Sequence, residues 1–79
     1  DYCLDSRGDV GRGVGIWTCD SVDGGNGRNL RFTVDSDGVI RPAIAIETAL
    51  TPDNGGVGAG LSLDPLSGSA AQKWRAGAR

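Results

Sequence analysis

Arg31-Phe32-Thr33-Val34-Asp35-Ser36-Asp37-Gly38-Val39-Ile40 is the stretch from which the fold is read. Arg31 to Val34 alternates polar and apolar, which puts Phe32 and Val34 on one face of an extended chain. Asp35 to Gly38 supplies residue types that turns require, and Val39-Ile40 opens a second apolar run. The stretch therefore predicts a β-hairpin.

Working outward, the remaining apolar runs are equally short: Val14 to Thr18, Leu30 to Val34, Val39 to Ile46 and Leu61 to Leu63. Runs of this length read as strands. Between them lie glycine-rich turn signals at Gly24-Gly25-Asn26-Gly27, at Asn54-Gly55-Gly56 and around Gly58 and Gly60. The one helical candidate, Ala43 to Leu50, carries β-branched Ile44, Ile46 and Thr48 and is closed by Pro52. Short strands with frequent turns predict an all-β fold.

Composition limits the function classes. The chain has 79 residues, 38% of them apolar and 5% aromatic, which gives a thin core that needs a disulfide, a partner or a ligand for support. Eight basic residues are scattered among ten acidic ones, for a net charge of −2, so there is no basic face for nucleic acid. No apolar stretch is long enough for a membrane span. There is no signal peptide, which leaves secretion open because signals are removed from mature chains. Two cysteines without any histidine are too few soft ligands for a closed zinc site, and no cofactor is implied. Without histidine there is also no His-dependent triad or base. A chain this small hardly makes the cleft across which two carboxylates hydrolyse a glycoside, so an enzyme is not expected.

The chain repeats internally, once. A shift of 46 carries Leu4 onto Leu50, Trp17 onto Leu63, Cys3 onto Ala49 and Cys19 onto Pro65. Further on, a shift of 42 carries Leu30 onto Gln72 and Phe32 onto Trp74, the insert Gly24 to Gly27 accounting for the difference. Cys3 and Cys19 form a disulfide in a small secreted domain, or stay free thiols in a cytosolic one. The second half lacks both, as expected of two positions bonded to each other. Such a bond is worth roughly 3 kcal/mol on the chain-entropy account.

Together, Cys3-Leu4-Asp5, Gly15-Ile16-Trp17-Thr18-Cys19, Asp37-Gly38-Val39-Ile40-Arg41-Pro42 and Ala71-Gln72-Lys73-Trp74 resemble the ricin B-chain lectin family with its Q-x-W motif. The resemblance covers nearly the whole chain. It implies a β-trefoil, of which two of three lobes are present: residues 1–42, the sugar-binding lobe, and residues 43–79, a structural one. The third lobe is then absent or supplied by another chain, by self-association or by a longer precursor. An enzyme or toxin chain is the kind of partner the family suggests.

The resemblance also names a site for a galactose-type glycan. It assigns Asp5 as hydroxyl acceptor, Trp17 as the plate against the C–H face of the sugar, and Asn29 as a second hydroxyl partner. Taken singly, Trp17 reads as a core residue, Asp5 as a turn residue beside Ser6 and Gly8, and Asn29 as the end of a loop. Three departures weaken the pattern, one of them Phe32 where the family has Trp. Leu30 stands where the family has the glutamine that braces the acid, and Gly15 removes a polar contact two residues before Trp17. In the second lobe Thr51, Leu63 and Ala71 replace the trio, while Gln72 is expected to bond backbone groups and Trp74 to fill the core. Arg7-Gly8-Asp9 spells an integrin-type triplet, and Asp35 with Asp37 a calcium-attracting turn, but both patterns are common by chance in turns. The expected function is thus a secreted carbohydrate-binding module. The alternative is a structural or protein-binding subunit, an assembly partner or inhibitor, that has lost sugar binding.

Overall fold

The computed structural model describes residues 1–53 and 60–75. Among them, six strands pair as three antiparallel ribbons. Strand β1 (Tyr2–Asp5) pairs with β2 (Gly15–Thr18), β3 (Phe32–Val34) with β4 (Ile40–Pro42), and β5 (Thr48–Pro52) with β6 (Leu61–Pro65). Four short 3-10 turns join them, at Val10–Arg12, Cys19–Asp23, Gly27–Leu30 and Ala70–Gln72. The protein is all-β.

The Arg31-to-Ile40 hairpin forms with Val34 opposite Ile40. Its turn is closed by the Asp35 N–H bonding the Val39 carbonyl at 2.9 Å and the Gly38 N–H bonding the Asp35 carbonyl at 3.0 Å. Gly38 has φ 90°, and a Cβ there would lie 2.0 Å from the Trp74 carbonyl oxygen, so only glycine fits. The Asp35 carboxylate is engaged by Arg41, whose Nη2 lies 2.8 Å away. Among the described residues no cluster of three His, Cys, Asp or Glu is placed to hold a metal ion.

Two strands escape the pattern-based expectation. Thr48, Ala49 and Leu50 of β5 are all buried, so both faces of the strand are covered and no polar–apolar alternation survives to mark it. β1 is too short and too mixed to stand out, and it gains its partner only through β2. The expected run Val39 to Ile46 is extended only at Ile40–Pro42, because the Thr48 N–H and hydroxyl both bond the Ala45 carbonyl and turn the chain. Leu30 belongs to a 3-10 turn rather than a strand. The turn signals at Asn54 to Gly58 lie outside the described residues.

The core lies toward the C-terminal half. Ala49, Leu50 and Leu63 come from β5 and β6, joined by Val39, Pro42 and Leu30. β4 packs on β5, and the Val14 N–H reaches the Leu61 carbonyl at 3.2 Å, which ties the first ribbon to the third. Trp74 is half-buried rather than sealed in this core. Its indole N–H donates to the Leu50 carbonyl at 2.9 Å. Among the described residues no helix is long and apolar enough to cross a membrane.

Candidate functional site

The Cys3–Cys19 disulfide forms, joining β1 to the turn that follows β2. Trp17 lies opposite Cys3 across the ribbon and next but one to Cys19, so the covalent link fixes the strand that carries the indole. Thr18 caps the following turn, its hydroxyl accepting the Asp20 N–H at 3.3 Å. That turn brings Ser21 back under the indole, whose N–H donates to the Ser21 Oγ at 3.3 Å. Trp17 is 57% exposed. Trp17 is therefore a tethered surface plate and not a core residue.

Asp5 and Asn29 come from distant parts of the chain and meet through Ser6. Ser6 is wholly buried, and its N–H and hydroxyl both donate to the Asn29 carbonyl, at 2.8 and 3.0 Å. Asn29 ends up there because the Gly24-to-Leu30 segment folds tightly. A Cβ on Gly27 would fall 1.8 Å from the Val22 carbonyl oxygen, so no larger residue fits. Asp5 Oδ1 accepts the Arg7 N–H at 2.8 Å, which aims the carboxylate from its own turn. Asp5, Trp17 and Asn29 line one open cleft of about 660 Å³, together with Arg7, Arg12 and Ile16.

Leu30 and Gln72 contrast in what they bond. Leu30 is buried at the edge of the cleft and offers Asp5 no hydrogen bond. Gln72 is 2% exposed; its amide donates to the Thr51 hydroxyl at 3.1 Å and to the Pro65 carbonyl at 2.9 Å, and its carbonyl accepts the Ser67 N–H at 3.0 Å.

Register refines the internal repeat. Leu63 faces Leu50 as Ile16 faces Leu4, so it corresponds to Ile16; Asp64, opposite Ala49, holds the place of Trp17 opposite Cys3. A shift of one residue exchanges the faces of a strand. The third ribbon thus presents an acidic side chain where the first presents an indole.

Sequence reasoning missed Arg7. Its backbone has φ 61°, in the left-handed region, and its guanidinium lies over Gly15. A Cβ at Gly15 would sit 2.7 Å from Arg7 Nη2, so the glycine makes room for that group. The space that Gly15 leaves on β2 is taken by a side chain from the loop that follows Asp5, its partner across the ribbon. No protein-family model matches this chain, and no curated protein or solved structure resembles it significantly.

Proposed function

We propose that the chain is a secreted carbohydrate-binding module of ricin-B-like β-trefoil type, with its sugar site in the cleft of residues 1–42 and residues 43–79 as the structural lobe. The observation that carries this reading is the convergence of Asp5, Trp17 and Asn29 on one cleft, with the indole exposed and tethered. An indole face covers the C–H patch of a galactose-type sugar at low entropic cost, and a carboxylate accepts its hydroxyl protons strongly. The disulfide fits an oxidising compartment. Tryptophan fluorescence during galactose and lactose titration tests the reading. A saturable response lost in both Trp17→Ala and Asp5→Ala is expected, with the half-buried Trp74 as the constant background. No response to any of a broad glycan set overturns it.

A second reading, an assembly or protein-binding subunit, draws on the exposed apolar side chains Tyr2, Ile16, Val34 and Ile46. Scattered exposed apolar residues are ordinary, but a lobe-deficient trefoil leaves faces to be covered by another chain or a second copy. Native mass spectrometry separates a lone chain from a complex.

A further inference from the structure

The cleft that holds Asp5, Trp17 and Asn29 is lined by one carboxylate and two guanidiniums, Arg7 and Arg12. Three of the four other described arginines are engaged, and Arg75 lies apart from the cleft beside Lys73 and Trp74. Arg28 bonds the Ala43 carbonyl, Arg31 bonds the Val22 carbonyl and approaches Asp23, and Arg41 grips Asp35. Arg7 and Arg12 have no side-chain hydrogen bond or ion pair among the described residues. The one carboxylate that lines the cleft, Asp5, already accepts the Arg7 N–H through Oδ1.

Arg7 is also held in place at a cost. A residue with a Cβ is disfavoured in the left-handed region, and Gly8 beside it has φ 77°, so the turn keeps an arginine where asparagine or glycine would sit more easily. The guanidinium occupies the space over Gly15. Residues 15 and 17 are roughly 7 Å apart along β2 and share one face, so the cation over Gly15 and the indole of Trp17 stand on the same side of the strand. A hexose ring spans that interval, with its C–H face on Trp17 and an acidic substituent at Arg7.

We infer that the site takes an anionic saccharide, a hexose whose charge comes from a carboxylate or a sulfate ester, read by Arg7 with Arg12 as the second cation. This rests on the carbohydrate-binding reading above. A guanidinium offers paired donors matched to either oxyanion. Being exposed, each such pair is worth up to about fivefold in affinity and is weakened by salt.

The test compares methyl galactoside, galacturonic acid and galactose 6-sulfate by calorimetry on the intact chain. At least one acidic sugar should bind five- to tenfold more tightly than the neutral one, and 0.5 M salt should abolish the preference. The two acidic arms distinguish carboxylate from sulfate. Arg7→Asn, which suits the left-handed backbone, and Arg12→Gln should each remove about two- to threefold for the acidic sugar and leave the neutral one unchanged. Gly15→Ala should do the same with Arg7 intact, by displacing its guanidinium. Equal affinities for neutral and acidic sugars overturn the inference and leave the carbohydrate reading standing. Failure of all three sugars to bind overturns both.

Discussion

The two ends of the molecule solve the same corner differently. Where the first ribbon meets its following 3-10 turn, Leu30 fills space and the polar work passes to Ser6 and to the backbone of Arg7. Where the third ribbon meets its turn, Gln72 takes three partners and leaves no polar group for a ligand. Asp5 keeps acceptor capacity beyond its single bond to the Arg7 N–H, and a carboxylate has two oxygens to offer. A corner closed by a buried amide is scaffold, and a corner closed by an aliphatic side chain beside an open carboxylate is available for recognition. The covalent link falls in the open corner, where core packing is poorest.

Breaking that link gives the largest expected effect. Reduction, or Cys3→Ser with Cys19→Ser, should lower unfolding free energy by about 3 kcal/mol in urea titration, with a somewhat steeper slope because the unlinked unfolded chain exposes more surface. The loss should also free the indole, so the Trp17 emission of the reduced protein shifts toward that of a solvated ring. If reduction changes the unfolding free energy by less than a tenth of this, the N-terminal ribbon does not depend on its cross-link.

Next in size is the exchange that makes the scaffold corner like the open one. Gln72→Leu leaves the Ser67 N–H and the Pro65 carbonyl without their partner and should cost about 2 kcal/mol in the same titration. Sugar binding should be untouched, because no residue of that corner lines the cleft. The reverse exchange, Leu30→Gln, should cost about 1 kcal/mol of burial yet tighten sugar affinity about threefold, by giving Asp5 the lateral donor it lacks. A drop in affinity would mean that Leu30 shapes the cleft itself.

How much of this could be read from residues alone follows from what the signals depend on. The Asp35-to-Gly38 turn was legible because its chemistry is local, and the disulfide because two cysteines vanish together from the repeat. The meeting of Asp5, Trp17 and Asn29 on one cleft has no local signal, since Ser6, the residue that joins two of them, looks like an ordinary turn serine. β5 was not legible because burial on both faces erases alternation. The one-residue offset between the ribbons was hidden because sequence similarity favoured Trp17 on Leu63, while register sets Trp17 against Asp64. Arg7 was hidden twice, by a conformation that arginine seldom adopts and by a glycine whose role is to be empty.

The smallest expected effect is therefore also the one that separates stability from recognition most cleanly. Arg7→Gly removes a Cβ from the left-handed region, which should stabilise the fold, offset in part by the extra freedom glycine brings to the unfolded chain. The net gain should be below about 1 kcal/mol, read as a small rise in urea midpoint. Its Asp5 contact survives, because the bond runs from the backbone N–H and not from the side chain. A variant that folds at least as well, keeps Asp5 oriented and still loses affinity for an acidic sugar identifies the guanidinium as the reason an arginine occupies that turn. A variant that is destabilised instead assigns the side chain to packing over Gly15, and the two corners then differ in how they are braced rather than in what they recognise.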